Sequence, residues 1–305
     1  MTDVLENELV SVIIPCHNHA RFLVDAIDSV TRQTYPHIEI IVVVDGSTDD
    51  TAQISRAHLN IRYIRQKNLG VSRTRNTGLL HSRGSYLLFL DADDRLLPDA
   101  IEVSVRLGLS DRLRFCVRSH VSFGTSQGLF KLPHDQACNY QELLKRNIIG
   151  NPGSALYNRW VFSHVGGFDE TNGPAADYDL ALQIARQFPI LCHYRPLVEY
   201  RRHADNMSNN AGIMLKATLT ALKKQRKHVK NNQELRAAYE VGRQYWKTYY
   251  GEPLIVNMCE NIARGNVMRA ACDCYTLIRL LPGRFPIFVV RKIKKLYSAL
   301  REALF

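Results

Sequence analysis

The segment YLLFLDADDRLLPD, residues 86–99, places three aspartates directly after an apolar run. Residues 87–90 read Leu-Leu-Phe-Leu, and a short uninterrupted apolar run is typical of a strand that is buried on both faces. Asp91, Asp93 and Asp94 follow at once, although carboxylates at such short spacing repel one another. In an open α/β sheet, ligands bind beyond the carboxyl ends of the strands, and carboxylates in that position would form part of such a site.

Three further strands are predicted upstream of this segment. LVSVII (9–14) ends at Pro15, IEIIVVV (38–44) ends at Asp45, and IRYI (61–64) is a third short β-branched run. The unusual polar residues again stand where each strand stops. Because parallel strands end at the same edge of a sheet, these clusters are expected to lie on one rim and to form one site.

Helices are predicted between the strands. Leu23, Ala26, Ile27 and Val30 recur at helical spacing, and Asn18 is a predicted N-cap for that helix. Strands that alternate with helices predict a mostly parallel, Rossmann-like sheet covered by helices on both faces.

The net charge of +11 is distributed unevenly along the chain. Residues 211–305 hold 18 Lys/Arg against 6 Asp/Glu, whereas the other 210 residues hold the remaining 22 against 23. The asymmetry predicts an anionic partner or surface for the basic part. The alternative is a helical face that is merely well solvated.

The composition is that of a soluble globular protein, with 46% hydrophobic and 23% charged residues. No apolar run reaches membrane-spanning length, and residues 1–10 lack a signal pattern, so a cytoplasmic location is expected. Seven cysteines at irregular spacing predict reduced thiols. Cys272 and Cys274 have no second pair nearby and are assigned to helix packing.

The sequence predicts two domains, 1–210 and 211–305, of which the second is basic and α-helical. Helical stripes begin at Leu215, and Gly265 marks the turn of a predicted helical hairpin. A last amphipathic helix is predicted with its apolar face on Val289, Ile293, Leu296, Tyr297, Leu300 and Leu304. Its basic residues suggest an interfacial role, against the alternative of packing within the helical domain.

The aspartates after the fourth strand have two interpretations. Asp91 and Asp93 flank one residue, so both can point into one cleft, where their hard oxygen atoms would suit magnesium or manganese. Alternatively, they only terminate the strand in a side-chain-to-backbone turn. Asp94 is assigned to that turn.

Residues 8–210 resemble the inverting family-2 glycosyltransferases of the GT-A fold. The resemblance rests on six segments in the family's order: VSVIIPCHN (10–18), QTYPHIEIIVVVDGSTDDT (33–51), NLGVSRTRNTGL (68–79), YLLFLDADDRLLPD (86–99), GGFDE with DYDLALQIA (166–185), and YRRHADNMS (200–208).

The resemblance implies a binding site for a nucleotide-sugar donor. Pro15 and His17 correspond to the loop that meets the nucleobase, with His17 in place of a stacking ring. Asp45 corresponds to the aspartate that hydrogen-bonds the base edge, and Arg75 to the arginine that supports the base pocket. Asp91 is implied towards the ribose and the metal.

The resemblance also implies a metal site and a general base. Asp93 and His203 are the implied metal ligands together with Asp91, and Asp177 is the implied base. Ala176 stands where the family often has Glu, so the surroundings of Asp177 are expected to be less negative and its basicity lower than with that acid in place. Val44 replaces the first of the two aspartates that often precede the Gly-Ser pair.

The implied reaction is metal-dependent sugar transfer, with inversion, from a nucleotide-diphosphate sugar to a hydroxyl acceptor. A UDP-sugar is the expected donor, and a surface glycan or its lipid-linked precursor the expected acceptor, at the inner membrane face through the basic helices. Nucleic acid is not expected as a partner. Two alternatives stay open: a nucleotidyltransferase, and a non-catalytic nucleotide-sugar-binding protein, which the changes at Val44 and Ala176 make conceivable.

Overall fold

The computed structural model describes residues 8–58, 60–110, 115–125, 128–130 and 138–281. The chain divides into two compact units between Asn206 and Met207. The first unit holds the sheet, and the second is helical.

Nine strands of the described residues form one sheet in the order β3-β2-β1-β4-β8-β6-β9-β5, with β7 paired to β6. Their bounds are β1 Val10–Cys16, β2 Ile38–Asp45, β3 Ile61–Gln66, β4 Tyr86–Phe89, β5 Arg95–Leu96, β6 Phe115–Gly124, β7 Gly128–Phe130, β8 Ala155–Asn158 and β9 Leu191–Arg202. The four strands predicted from the sequence are β1 to β4.

The helices of the first unit are short, and those of the second are longer. Their bounds are α1 Ala20–Thr31, α2 Thr51–Ala57, α3 Val71–His81, α4 Ala100–Ser110, α5 Tyr140–Lys145, α6 Phe162–Val165, α7 Ala176–Ala185, α8 Ala211–Val229, α9 Gln233–Tyr249, α10 Gly251–Ala263 and α11 Val267–Leu280. Single 3-10 turns occur at Pro152–Ser154, Arg159–Val161, Gly173–Ala175 and Met207–Asn209.

The predicted parallel sheet is confirmed for β3-β2-β1-β4, whose pairings are all parallel. The other half is mixed: β8 runs antiparallel to both β4 and β6, whereas β9 runs parallel to β6. The apolar runs of β1 and β4 are buried because helices cover both faces. The direction of β9 carries its last residues back to the carboxyl end of β4.

The predicted stripe of α1, which comprises Leu23, Ala26, Ile27 and Val30, is the buried face of that helix. The assignment of Asn18 as its N-cap was wrong. His19 is the residue before the helix, and Asn18 has a positive φ of 54°. Asparagine is one of the few residues other than glycine that adopt this backbone conformation readily. The side-chain oxygen of Asn18 accepts a hydrogen bond from the backbone amide of Thr48 instead of capping α1.

The second unit contains α8 to α11 around a core that includes Leu215, Leu254, Ile255, Met258 and Leu277. The predicted hairpin is confirmed as α10 and α11, joined at Gly265, whose φ is 73°. The last predicted helix, around 289–304, lies outside the described residues. Within the described ranges, no helix combines the length and apolarity needed to cross a bilayer.

The expectation that all thiols are reduced was wrong for one pair. Cys138 and Cys192 form a disulfide with their Cα atoms 5.9 Å apart, although 54 positions separate them in the sequence. The start of β9 lies beside the segment before α5, a proximity that cysteine spacing alone does not reveal. Cys272 and Cys274 lie on α11 as free thiols.

Candidate active site

The residues after β4 form a tight turn at the rim of the sheet. The Asp94 amide donates to the Asp91 carbonyl at 3.0 Å, which agrees with the turn predicted for Asp94. Its side chain is fully buried and accepts a hydrogen bond from the Arg201 amide at 2.9 Å. Burial, followed by the charges of Asp93 and Asp91, raises the pKa of Asp94 well above its usual range. Asp94 therefore anchors the end of β9 on the aspartate turn.

Asp93 and His203 meet at this rim. The distance from His203 Nε2 to Asp93 Oδ2 is 2.9 Å, and each side chain is 11% exposed. The side-chain nitrogen Nδ2 of Asn206 donates to the same carboxylate oxygen at 3.3 Å. The Oδ1 atom of Asn206 accepts a hydrogen bond from the backbone amide of His203 at 2.7 Å. Asp93 and His203 are two of the three implied metal ligands. They are thus in contact although 110 positions separate them in the sequence.

The donor set of this pair is suited to magnesium or manganese. Within the described residues, no group of three His, Cys, Asp or Glu side chains could hold a metal ion by itself. Magnesium commonly takes one or two protein carboxylates and completes its shell with water and substrate phosphates. One carboxylate and one imidazole in direct contact supply the few protein ligands that such a site needs, with Asp91 in the same turn.

Asp91 pairs with Arg75 of α3. Arg75 Nη2 donates to Asp91 Oδ1 at 2.7 Å, with the arginine side chain 6% exposed and the aspartate 28% exposed. The charges of Asp91 and Asp177 raise the pKa of Arg75 despite its burial, so the guanidinium interacts with both carboxylates. The role of Arg75 in supporting the base pocket stays a prediction. Its interactions connect Asp91, on the implied donor side, with Asp177, on the implied acceptor side.

Asp177 lies in the first turn of α7 and is only 9% exposed. Burial raises its pKa to about 6, and the positive charge of Arg75 opposes part of that rise. Desolvation therefore has the largest effect on the basicity of this carboxyl, and the lowering expected from the loss of an acidic neighbour at Ala176 stays a prediction. Asp179 is also buried in α7, where Gln183 donates to it at 3.2 Å.

Asp45 ends β2 at the nucleobase side of the predicted site. Its carboxylate accepts from the amides of Leu69 and Gly70, each at 2.9 Å, so it orders the loop before α3. Each carboxylate oxygen can accept more than one hydrogen bond, which leaves capacity for a base N–H. His17 Nδ1 donates to the Asp45 carbonyl at 2.6 Å, and Pro15 is buried in β1.

A connection that the sequence did not reveal runs from α3 to the loop before α7. Asn76 Nδ2 donates to the Phe168 carbonyl at 2.9 Å, and Asn76 Oδ1 accepts from the Phe168 amide at 2.8 Å. A Cβ on Gly167 would lie 2.4 Å from Asn76 Oδ1, so a larger residue there would displace the Asn76 side chain. The segment NLGVSRTRNTGL contained Asn76, but nothing in it indicated this partner.

Arg201 is a second residue that sequence reasoning missed. Its Nε donates to the Asp93 carbonyl at 2.9 Å, and its Nη2 donates to Asp25 of α1 at 2.6 Å. The guanidinium also lies over the rings of Phe22 and Phe123, at 4.7 and 4.5 Å from their centroids. Arg201 thereby fixes the strand that delivers His203 to Asp93.

The chain matches the model of one protein family, Glycosyl transferase family 2, over residues 11–164. Glycosyltransferase GlyA of Streptococcus pneumoniae serotype 4 is 36% identical over 149 residues, which cover 48% of this chain but only 21% of GlyA. The match therefore spans about a fifth of that relative's length.

Solved structures are similar in fold. TarS 1–349 of S. aureus, in complex with UDP-GlcNAc, has a TM-score of 0.64 at 16% identity, over 90% of this chain and 82% of that one. The mannosyltransferase PcManGT of Pyrobaculum calidifontis, in complex with GDP-Man and Mn²⁺, has a TM-score of 0.58 at 16% identity, over 92% and 88%. The likeness confirms the predicted GT-A fold with a C-terminal helical part.

Proposed function

Because the chain belongs to glycosyl transferase family 2, we propose that it transfers a sugar from a nucleoside-diphosphate donor to a hydroxyl acceptor with inversion. A UDP-sugar is the donor we favour, and a glycan or lipid-linked glycan the acceptor, in the biosynthesis of a polysaccharide. The bound nucleotide sugars of TarS and PcManGT support this donor class.

The observation that carries the proposal is the environment of Asp177. A carboxylate with a pKa of about 6 is ionised at neutral pH, yet it holds a proton more tightly than an ordinary aspartate. Those are the properties of a general base, whose pKa should lie near the working pH. Arg75 connects this base electrostatically to Asp91 on the donor side.

In the proposed reaction, the acceptor oxygen attacks the anomeric carbon while the bond from that carbon to the diphosphate oxygen breaks. The acceptor proton passes to the Asp177 carboxylate, and the bonding electron pair leaves with the nucleoside diphosphate. One displacement inverts the configuration, whereas retention would need a second carboxylate as nucleophile. Asp179 follows two positions later on α7, where helical geometry turns it away from Asp177.

Asp93 and His203, with Asp91 beside them, are the residues we propose to hold a divalent manganese or magnesium ion. Such a cation supplies Lewis-acid stabilisation for a leaving diphosphate. The Mn²⁺ in PcManGT supports this assignment. Pro15, His17, Asp45 and Arg75 are then the proposed nucleotide-binding residues.

We place the reaction at the inner face of a membrane, to which the protein binds peripherally from the cytoplasm. The excess of 18 basic over 6 acidic residues in 211–305 supports an anionic surface as partner. A lipid-linked acceptor would lie at that surface.

The test compares the wild type with Asp177→Asn in two assays, donor binding by thermal shift and transfer to a glycan acceptor. We expect the variant to lose transfer and to keep manganese-dependent stabilisation by its donor. NMR of the product tests inversion. Release of pyrophosphate from a nucleoside triphosphate would identify a nucleotidyltransferase instead. Donor binding without turnover in the wild type would identify a non-catalytic binding protein.

A further inference from the structure

One face of α8, together with the residue that follows the helix, carries a cationic stripe of five exposed residues: Lys216, Lys223, Arg226, Lys227 and Lys230. At 100° per residue they fall within one side of the helix, and from the first to the last they extend about 21 Å along it. The opposite side packs into the second unit through residues such as Leu215, Ala221, Leu222 and Val229, which are buried. The stripe is therefore the outward face of a helix held in place by its own core.

No negative charge interrupts the stripe. From Ala211 to Val229 the helix contains no acidic residue. None of the five cations forms an ion pair with a carboxylate of the described residues, unlike Arg243 and Arg264 on the neighbouring helices, which pair with Glu240 and Glu260. Cations that are close together without counter-charges repel one another, and a polyanion would relieve that repulsion.

Two exposed apolar residues precede the stripe in the chain. Ile213 is 51% exposed, and its position lies on the outward face one turn before Lys216. Met207, in the 3-10 turn before α8, is 54% exposed. A bilayer surface offers both phosphate groups for the cations and an acyl boundary for Ile213 and Met207. A nucleic acid offers only the first, and single-strand sites use stacking aromatic rings, which the stripe lacks.

We propose that the α8 stripe is the surface by which this protein binds an anionic phospholipid bilayer, with Ile213 and Met207 entering the headgroup region. The proposal rests on the proposed function only in taking the acceptor to be at a membrane. The proposal assigns membrane binding to the stripe on α8 and does not depend on the basic residues after 281.

The test measures binding of the full chain to vesicles of equimolar phosphatidylcholine and phosphatidylglycerol, with phosphatidylcholine vesicles for comparison. The triple variant Lys223→Gln, Arg226→Gln, Lys227→Gln should bind the anionic vesicles about 100-fold more weakly, since each cation near such a surface contributes about five-fold. The matched variant Arg243→Gln, Arg264→Gln, Arg279→Gln removes the same charge from the other helices and should bind nearly as the wild type does. Equal losses in the two triple variants would overturn the proposal, because total charge rather than the stripe would then control binding.

Ile213→Gln separates a bilayer from other polyanions. It should weaken vesicle binding several-fold and leave retention on heparin or DNA unchanged. Vesicle binding that does not respond to this variant, together with tight DNA binding, would overturn the proposal in favour of nucleic acid. Donor-induced thermal shift and transfer to a soluble acceptor are measured on the same proteins. If the wild type shows neither the donor-induced thermal shift nor transfer, the proposed function is refuted. Vesicle binding tests the stripe alone.

Discussion

Asn76 holds the backbone of Phe168 with both atoms of its side-chain amide, through hydrogen bonds of 2.9 and 2.8 Å. Its neighbour Arg75 binds Asp91 and stacks over the Phe168 ring, 5.3 Å from the centroid. Two consecutive residues of α3 thus contact both the aspartate turn and the loop that leads to Asp177. The relative position of the proposed donor site and the proposed base depends on this one helix.

Replacement of Asn76 by Asp should lower kcat about 10- to 100-fold, because misplacement of a reacting group by about 1 Å has effects of this size. The new carboxylate keeps the shape but cannot donate to the Phe168 carbonyl. Donor affinity, measured by thermal shift, should not change. Arg73→Gln, which removes the exposed ion pair of Arg73 with Glu170, is the matched control and should stay near wild-type rates. Equal loss in both variants would contradict this assignment.

The transfer rate should fall as the pH drops through about 6, because Asp177 then becomes protonated and can no longer accept a proton. The pH profile of kcat with donor and manganese saturating checks this. A rate that stays constant down to pH 5 would exclude Asp177, with its pKa near 6, as the base.

The same carboxyl should affect stability. The pKa of an aspartate in an unfolded chain is 3.8, and that of Asp177 in the folded protein is about 6. Folding is therefore accompanied by uptake of a proton when the pH lies between these two values. The free energy of unfolding therefore falls as the pH rises from about 4 to about 6, by about 3 kcal/mol for a shift of this size. Asp177→Asn should remove this loss and should melt higher than the wild type at pH 8 but not at pH 4. A calorimetric series at both pH values distinguishes the two outcomes.

Arg75→Gln should move the acid limb of the pH profile to higher pH, because the positive charge of Arg75 lowers the pKa of Asp177. It should also lower kcat, since Asp91 loses its ion pair and can change position. Arg83→Gln removes an arginine whose side chain is 76% exposed and which pairs with Glu39; it serves as the control and should leave the profile in place. An unchanged limb in Arg75→Gln would show that the two groups are not coupled.

Asp93→Ala and His203→Ala should each weaken manganese-dependent donor binding about 10-fold or more, because each removes one proposed ligand of a site with few protein ligands. Chelation of the metal should reduce wild-type affinity to a similar level and have little further effect on the variants. The measurement is donor titration by calorimetry with and without EDTA. If His203→Ala binds the donor in manganese as tightly as the wild type does, His203 is not a ligand of the metal.

Local patterns were enough to predict the parallel half of the sheet and the helical hairpin. The runs that became β1, β2 and β4 are apolar on both sides, and Gly265 separates two helical stripes. Such features depend on residues close together in the chain, where periodicity is informative.

The features that were missed depend on distant residues. Asn76 and Phe168 are 92 positions apart, and Cys138 and Cys192 are 54 apart. No periodicity connects such positions, so only the topology of the mixed half of the sheet brings them together. The raised pKa of Asp177 was not predicted for a related reason, because its burial depends on how α7 packs and not on its neighbour at 176.

The contact of Asn206 with Asp93 has a consequence for the newly made chain. The two residues are 113 positions apart, so the aspartate turn leaves the ribosome well before its partners exist. At about 5–20 residues per second, that interval is about 6–23 seconds. During it, Asp91, Asp93 and Asp94 have neither the Arg201 clamp nor His203, and a nascent chain that has not reached Asn206 should be unable to retain a nucleotide sugar. Under the proposed function, donor binding is then a property that the protein acquires late in its synthesis.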